Sequence, residues 1–276
     1  MKQGTTMKWI AASAFLWIAP FFTAAHASTI LCTVIADGAS GKVLRQQGTC
    51  DQRITAASTF KLALSLMGYD AGYLTDEHLP ALPFREGYAD WLPSWRATTD
   101  PTRWISESVV WYSQRLTEWL GPQRLQRYVT AFGYGNEDLS GDPGKNNGLT
   151  HAWLSSSLKI SALEELAFLG KIVRHQLPVA AHAYEMTGRI TLLPSTANGW
   201  EVHGKTGTGS PIKADGLEDD AHSFGWFVGW ATKGGRTIVF VRSIQDTPQD
   251  VHQELRAGLR ARADFLRELP GLLDSL

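Results

Sequence analysis

The chain has 276 residues, of which 43% are hydrophobic and 19% are charged, and its formal net charge is −1. Charge this balanced, with no block of one sign, argues against nucleic acid or an anionic membrane surface as the main partner and favours a small-molecule ligand. The length suits one large domain or two lobes that share a core, and no repeat or low-complexity linker divides the chain.

Residues 1–27 have the pattern of a cleavable export signal. Lys2 and Lys8 supply a positive start, residues 9–20 form a short apolar run, and Ala-His-Ala stands directly before Ser28. The apolar run is too short to span a bilayer comfortably, which favours a cleaved signal over a membrane anchor. We therefore expect a protein that is secreted to the periplasm and has no stable membrane anchor.

Two strands and two cysteines follow the signal. Residues 29–36 and 42–47 have strand-like patterns and are joined by a turn at 37–41, which predicts a hairpin. Cys32 and Cys50 flank this hairpin, and export to an oxidising compartment favours a disulfide between them. The alternative is two separate buried thiols, because the sequence does not fix the register of the hairpin.

Helical periodicity dominates the next part of the chain. A buried helix is predicted from residue 56 to about residue 69. In the mostly helical region 91–193, helices are predicted at 109–120, 123–132 and 161–175, with a polar loop at 138–150. The final part is predicted to contain strands at 201–208, 223–232 and 236–244, a hairpin turn at 233–235, and an amphipathic helix at 251–269.

This order of elements predicts an α/β fold. Strands, a long helical insertion, more strands and a last helix are typical of an antiparallel sheet flanked by terminal helices, with an inserted all-helical lobe beside it. We expect a single domain over residues 28–276, with the helical lobe at roughly 70–195.

Ser58 and Lys61 have the spacing of a nucleophile and its base. Three residues apart, the hydroxyl and the amine lie on one face of a helix, and free N–H groups at the start of that helix favour a developing oxyanion. A serine hydroxyl is a weak nucleophile until a base takes its proton, so Lys61 needs a lowered pKa or a chemically converted amine. The same spacing recurs at Ser156 and Lys159, where the neighbouring residues are core-like, and we interpret that copy as structural.

Lys205, Thr206 and Gly207 lie on a strand-like segment that continues into Thr208. A strand lysine opposite the nucleophile can hold a substrate carboxylate, the threonine can donate a hydrogen bond, and the glycine lets a ligand approach the backbone. The alternative interpretation is an exposed strand lysine followed by a bulge glycine.

Three further motifs occur between these two groups. They are Ser108-Val109-Val110, Tyr134-Gly135-Asn136, and Trp153 with the serine-rich run 154–161. With the two groups above and the strand 225–230, they resemble the class D (oxacillinase-type) serine β-lactamases over essentially the whole mature chain. The related class A pattern is absent, because Val109 and Val110 stand where those enzymes have Asp and Asn, and no asparagine follows a glutamate by four residues.

The resemblance implies a fold like that of serine β-lactamases and penicillin-binding transpeptidases, and hydrolysis of the β-lactam amide of penicillins and cephalosporins, which gives antibiotic resistance. It implies that Ser58 is the nucleophile and that Lys61 is the base after its neutral amine has added carbon dioxide to give N6-carboxylysine, with the Trp153 indole as hydrogen-bond donor. An apolar wall that disfavours the ammonium is expected from Phe60, Val109, Val110, Trp111 and Trp153. Beyond carbon dioxide or bicarbonate, no cofactor and no metal is expected.

The resemblance also implies the substrate contacts. Ser108 relays a proton toward the lactam nitrogen, backbone N–H groups of Ser58 and Thr208 form the oxyanion hole, and Lys205 and Thr206 bind the substrate carboxylate, with Gly207 beside them. Many family members have an arginine after the last strand for the same carboxylate, and Arg256 is the candidate here. Its alternative role is a solvated charge on the terminal helix. The loop 210–222 is expected to shape the pocket for the side chain of the drug.

Two alternatives share these residues. A β-lactam sensor domain or a penicillin-binding transpeptidase would be acylated on the same serine without turnover. Sensor modules normally follow membrane helices, and transpeptidases are usually longer and anchored. The expected partner is a small-molecule β-lactam and not a nucleic acid, and the chain is expected to be a monomer or a weak dimer.

Overall fold

The fold is given by a computed structural model, which describes Met1 and residues 28–194, 199–250 and 254–274. Apart from Met1, the predicted export signal lies outside the described residues. The strands are β1 (Thr29–Asp37), β2 (Val43–Gly48), β3 (Ile54–Thr55), β4 (Lys159–Ile160), β5 (Glu201–Gly209), β6 (Phe224–Lys233) and β7 (Arg236–Gln245). The α-helices are α1 (Lys61–Asp70), α2 (Pro101–Ser106), α3 (Val110–Phe132), α4 (Gly148–His151), α5 (Ala162–Val173), α6 (Ala181–Thr191) and α7 (Ala257–Asp274). Among the described residues, no helix has both the length and the apolar character that crossing a bilayer requires.

Five strands form an antiparallel sheet in the order β2-β1-β7-β6-β5, so β5 is an edge strand. Successive side chains of a strand point to opposite faces, and each face of this sheet has its own core. One face contributes Val34, Val228 and Val241 to the core of the helical lobe. The other contributes Phe227 and Phe240, which pack against α7. The predicted antiparallel sheet with flanking helices and a helical insertion is confirmed.

The predicted turn of the second hairpin and the disulfide beside the first are both present in the structure. Lys233 pairs with Arg236, and the two glycines between them have φ of 57° and 79°. Positive φ at both central residues is what the tightest hairpin turns require, and glycine adopts it without a steric cost. Cys32 and Cys50 are joined by a disulfide, so the expected bridge is present and the alternative of two separate thiols is wrong.

The helices of the lobe begin at residues that satisfy their free N–H groups. The side chain of Asp100 accepts a hydrogen bond from the backbone N–H of Arg103 at the start of α2. Ser161 and Glu164 form a reciprocal capping box at the start of α5. Local sequence therefore sets where these two helices start.

The helices predicted at 109–120 and 123–132 are both parts of α3. Gly121, with φ 73° and ψ 164°, interrupts the helical geometry, and Pro122 follows it. Proline is tolerated in the first turn of a helix, so the second segment restarts at this residue. The two predicted segments are present and are separated by a kink.

Two other helix boundaries differ from the predictions. The helix predicted from residue 56 starts as the 3-10 turn Ala57–Phe60 and continues as α1. The helix predicted at 251–269 is α7, which starts at Ala257 and ends at Asp274, while residues 251–253 lie outside the described residues. Packing sets the start of α7, because a Cβ at Gly258 would lie 2.4 Å from the carbonyl oxygen of Gly207, a tertiary contact that helical periodicity does not contain.

Candidate active site

Ser58 lies in the 3-10 turn that leads into α1. Ala57, directly before it, has φ 49°, a left-handed conformation that is uncommon for any residue with a Cβ, so backbone strain is stored next to the hydroxyl. Lys61 lies one turn later, and its Nζ donates a hydrogen bond to Oγ of Ser58 at 3.0 Å. The structure therefore brings together the two residues whose spacing predicts a nucleophile and its base.

Lys61 is fully buried. Burial lowers the pKa of its ammonium well below the usual range, and the positive charge of Lys205 lowers it further. The side chains predicted to form an apolar wall are all buried in one core cluster: Phe60, Val109, Val110, Trp111 and Trp153. Such surroundings favour the neutral amine, which can take a proton from a hydroxyl or react with an electrophile.

Lys205 links β5 to Ser108. Its Nζ donates to Oγ of Ser108 at 3.0 Å and to the carbonyl oxygen of Thr206 at 2.8 Å. The side chain is buried, so the alternative of an exposed strand lysine is wrong. Burial lowers the pKa of Lys205 to about 7, and the charge of Arg262 acts in the same direction. Ser108 itself has φ 61°, a second left-handed residue beside the site.

Gly207 lets the edge strand β5 approach the nucleophile turn. A Cβ at this position would lie 3.2 Å from Cγ2 of Thr59 and 3.3 Å from both the carbonyl oxygen of Ala56 and the backbone nitrogen of Ser58. The β5–β6 register runs without a shift through this residue, so the alternative of a bulge glycine is wrong. The neighbouring Thr208 is exposed, and its Oγ1 accepts a hydrogen bond from the backbone N–H of Gly258 in α7.

Trp153 is fully buried, yet its indole N–H has no hydrogen-bond partner in the described part of the chain. Four other fully buried tryptophans do donate: Trp95 to the carbonyl of Glu107, Trp104 to Ser113, Trp111 to the carbonyl of Trp95, and Trp226 to the carbonyl of Thr55. A buried donor without an acceptor is costly and rare. The free N–H therefore indicates a place for an acceptor that the polypeptide does not supply.

Arg256 and Arg262 bring positive charge to the same end of the sheet. Arg256 is exposed and directly precedes α7, whose first turn packs on Gly207 and Thr208. It therefore lies just before the terminal helix, not on it, and its side chain forms no ion pair within the described residues. No feature of the sequence distinguishes Arg262, since a single arginine on an amphipathic helix is ordinary and its effect on Lys205 depends on tertiary packing.

The Tyr134-Gly135-Asn136 motif holds the segment that carries Trp153. The side chain of Asn136 donates to the carbonyl of Ser157 at 2.8 Å and accepts from the backbone N–H of Lys159 at 2.9 Å. A Cβ at Gly135 would lie 2.1 Å from the carbonyl oxygen of Lys159. Lys159, from the second Ser-to-Lys spacing, is exposed on the two-residue strand β4, which agrees with a structural interpretation of that copy.

Glu165 is a second functional candidate that the sequence interpretation missed. Its fully buried Oε2 lies 3.1 Å from the hydroxyl of Tyr134. Burial raises the pKa of its carboxyl group to about 8. In the sequence it follows Glu164 in the first turn of a helix, where acidic residues normally serve the helix dipole, so no local signal separates the two.

The loop 210–222 lies beside the serine-rich segment that follows Trp153. The backbone N–H of Ser210 donates to Oγ of Ser155 at 3.2 Å, and Ser210 Oγ lies 3.1 Å from Asp220. Beyond this anchor, Ile212 and Leu217 are exposed apolar side chains. They offer apolar surface close to β5.

Comparison with known proteins gives one consistent result. Residues 31–270 match the family described as penicillin binding protein transpeptidase domain. The chain is 44% identical over 250 residues to β-lactamase OXA-9 of Klebsiella pneumoniae, with 89% of each chain covered. It is 36% identical to β-lactamase OXA-1 of Escherichia coli, with 77% of this chain and 75% of that protein covered. The crystal structure of OXA-427, a class D β-lactamase, matches with a TM-score of 0.82 and 52% identity over 88% of this chain and 98% of that chain.

Proposed function

The chain belongs to the class D β-lactamase family, and from that premise we propose that Ser58 is its acylated nucleophile and Lys61 the origin of its general base. As a serine β-lactamase, the protein hydrolyses the amide bond of β-lactam antibiotics and so confers resistance to them. The observation that carries the assignment is the hydrogen bond of 3.0 Å between Nζ of Lys61 and Oγ of Ser58, made by a lysine that is fully buried.

Acylation follows from the chemistry of these side chains. Oγ of Ser58 attacks the lactam carbonyl carbon as its proton leaves for the base, and the C–N bond of the ring then breaks. Ser108 relays to the departing lactam nitrogen the proton that the base took from Ser58, so that both the base and Ser108 are restored. Lys205, whose Nζ lies 3.0 Å from Oγ of Ser108, favours this transfer by its charge. The backbone N–H groups of Ser58 and Thr208 stabilise the oxyanion.

Substrate binding relies on the positive charge around β5. Lys205 and Thr206 bind the carboxylate of the antibiotic, and Arg256 adds a second positive charge from the segment before α7. Gly207 leaves the backbone open to the ligand. The exposed apolar side chains of the loop 210–222 contact the variable side chain of the drug.

A carbamate on Lys61 fits the residues that surround it. The neutral amine is the form that adds carbon dioxide, and burial favours that form. The Trp153 indole N–H supplies the donor that a carbamate oxygen needs, and Ser58 Oγ is already within hydrogen-bond distance of Nζ. Bound there, the carbamate supplies a carboxylate base for acylation and for the hydrolytic water; dissolved carbon dioxide or bicarbonate is its source, and no metal takes part.

We further propose that the chain acts as a single catalytic domain over residues 28–276. Removal of residues 1–27 would release it into the periplasm without a membrane anchor, as a monomer or a weak dimer.

Turnover of nitrocefin tests the proposed function against the two acylated alternatives. Many turnovers per chain are expected for a hydrolase, and a single stoichiometric burst would indicate a sensor domain or a transpeptidase. Mass spectrometry after brief exposure to a slow β-lactam should find one adduct, on the peptide that contains Ser58. An adduct on the peptide that contains Ser156 would contradict the assignment.

A further inference from the structure

Arg256 occupies a position at the start of α7 that suits an arginine badly. Its carbonyl oxygen accepts hydrogen bonds from the backbone N–H groups of Leu259 at 2.9 Å and Arg260 at 3.1 Å, so Arg256 is the N-cap residue of the helix. An N-cap side chain normally accepts a hydrogen bond from a free N–H of the first turn, whereas a guanidinium has donors only. The helix dipole also repels a positive charge at this end. Local sequence therefore provides no side-chain cap, and a tertiary contact has to supply one.

Thr208 supplies that cap from β5. Its Oγ1 accepts a hydrogen bond from the backbone N–H of Gly258, the second residue of α7, at 3.0 Å. This is one of the N–H groups that an N-cap side chain normally satisfies. A threonine of a neighbouring strand thus replaces the missing acceptor and leaves the N-cap position free for an arginine.

Close backbone contacts seat the first turn of α7 on the strands. A Cβ at Gly258 would lie 2.9 Å from Oγ1 of Thr208. Gly225 pairs with Thr208 in the β5–β6 register, and a Cβ at Gly225 would lie 2.2 Å from the carbonyl carbon of Ala257. Only glycine allows backbones to approach this closely. The start of α7 is therefore fixed relative to the strand that carries Lys205.

Arg260 holds the chain on the other side of Arg256. Its guanidinium donates to the carbonyl oxygen of Leu255 and pairs with Asp246, the buried residue directly after β7. Arg256 thus lies between two anchored backbone groups, the carbonyl of Leu255 and the N–H of Gly258. Its backbone is held in place while its side chain remains exposed.

We propose that Thr208 positions Arg256: the threonine hydroxyl caps α7 from β5 and so holds the arginine where it meets the carboxylate of the β-lactam. The inference rests on the proposed function, in which Arg256 binds that carboxylate. The hydroxyl is a different group from the backbone N–H of Thr208 that stabilises the oxyanion, and it does not touch the reacting atoms. Its loss therefore weakens substrate binding, which raises KM, and leaves kcat nearly unchanged.

Steady-state hydrolysis of nitrocefin by Thr208→Val and Thr208→Ser tests the proposal. Valine has nearly the same shape and keeps the backbone N–H, but it has no acceptor for Gly258. KM should rise about tenfold, because a hydrogen bond to a charged group is weakened, and kcat should stay within about twofold. The serine variant keeps the hydroxyl and should restore KM to within about twofold of the wild type. An unchanged KM in Thr208→Val, or a loss confined to kcat, would overturn the proposal.

Thr102→Val is the matched control. Thr102 is an exposed residue of α2 whose hydroxyl also makes one hydrogen bond, to the carbonyl oxygen of Glu77 at 2.8 Å. This variant should have the KM and kcat of the wild type. A tenfold rise of KM in the control would show that loss of an exposed threonine hydroxyl is not specific to α7, and would contradict the proposal.

The same substitution in an Arg256→Ala background tests the route. Arg256→Ala alone should raise KM by about tenfold, and adding Thr208→Val should then change KM by less than about twofold, because the residue that the cap positions is gone. A further tenfold rise in the double variant would refute a connection through Arg256. An active Arg256→Ala variant with the KM of the wild type would also overturn the inference, while hydrolysis by Ser58 would stand.

Failure of the proposed function has a different signature. A wild-type chain that forms no adduct on Ser58 refutes the function, and amide hydrogen exchange then tests the cap by itself. The N–H of Gly258 should exchange about tenfold faster in Thr208→Val than in the wild type, because it loses its acceptor, and Thr208→Ser should retain the protection. Equal exchange rates in the wild type and Thr208→Val would overturn the inference whatever the activity.

Discussion

The two faces of the central sheet treat buried charge in opposite ways. On the face covered by α7, the buried guanidinium of Arg242 pairs with Glu268, a residue of that helix. On the face covered by the helical lobe, the buried amines of Lys61 and Lys205 bond to hydroxyl and carbonyl oxygens, and neither has a carboxylate partner within the described residues. The buried charge on the α7 face is compensated by an ion pair, whereas the buried amines on the lobe face remain available for chemistry.

Backbone strain follows the same division, since the left-handed residues Ala57 and Ser108 both lie on the lobe side of the sheet. Within the described residues, buried donors without a partner occur on both faces: the indole N–H of Trp153 on the lobe side and Nε of Arg242 on the α7 side. Such features lower stability, and proteins retain them where a site needs a fixed geometry or an available donor. The α7 face therefore mainly stabilises the sheet. The lobe face retains features that lower stability and that keep a neutral amine beside a hydroxyl.

Removal of either member of the Ser58–Lys61 pair is expected to have the largest effect. Ser58→Ala and Lys61→Ala should each lower kcat/KM for nitrocefin by at least about 1,000-fold, because acylation loses its nucleophile or its base. Lys159→Ala, at the other Ser-to-Lys spacing, is the control and should remain within about threefold of the wild type. A large loss in the control with little loss in Lys61→Ala would contradict the division between the two copies.

Trp153→Phe tests the lobe face directly, because it removes an indole N–H that has no hydrogen-bond partner among the described residues. Deacylation should slow by about 100-fold and the acyl-enzyme should accumulate, because the hydrolytic water loses a properly held base. Trp104→Phe is the matched control, since it loses the same ring volume and a hydrogen bond to Ser113 of 2.8 Å. It should unfold more easily, by about 1 kcal/mol beyond Trp153→Phe, with deacylation unchanged. Mass spectrometry of the trapped acyl-enzyme and thermal unfolding separate the two outcomes.

Acid should inactivate the enzyme through Lys61. The pKa of this amine is lowered in the folded protein, so the neutral form persists to lower pH than in an ordinary lysine and is lost as the pH falls through that pKa. A carbamate forms only from the neutral amine, and activity in degassed, mildly acidic buffer should therefore drop by about tenfold and recover when bicarbonate is added. Absence of any bicarbonate effect, together with no carbamate signal in carbon-13 NMR, would mean that Lys61 acts as a plain amine.

The sequence predicted those parts of the site that are local in the chain. Ser58 and Lys61 are neighbours on one helical turn, and the strand with Lys205 was recognisable from its composition, so both were found before the fold was known. The burial of Lys205 was not, because an isolated strand lysine is usually exposed and only tertiary contacts, such as those of Lys205 with Ser108 and of β5 with α7, decide otherwise.

Glu165 and Arg262 were missed for the same physical reason. Each stands on an amphipathic helix near a residue of like charge, Glu165 directly after Glu164 and Arg262 two places after Arg260, and the periodicity of the helix does not say which member of each pair acts on the site. The start of α7 was also misplaced, since it depends on the contact between Gly258 and Gly207. Long-range packing, and not local propensity, determines all three.

The smallest effect on catalysis is expected on the α7 face. Glu268→Gln removes the carboxylate that pairs with Arg242 and leaves a buried guanidinium with a weaker partner. Since the Glu268 side chain is 39% exposed, water takes over part of the interaction, and the free energy of unfolding should fall by only about 1–2 kcal/mol.

The kinetic constants of Glu268→Gln show whether this ion pair affects catalysis or stability alone. With Glu268→Gln, kcat and KM for nitrocefin should stay within about twofold of the wild type, because the change lies across the sheet from Ser58 and alters stability alone. Arg267→Gln, a neighbouring exposed residue of α7 that pairs with Asp264, should change neither stability nor rate. If Glu268→Gln slowed acylation tenfold while unfolding at the wild-type temperature, charge on the α7 face would belong to the chemistry, and the two faces would not divide stability from reactivity.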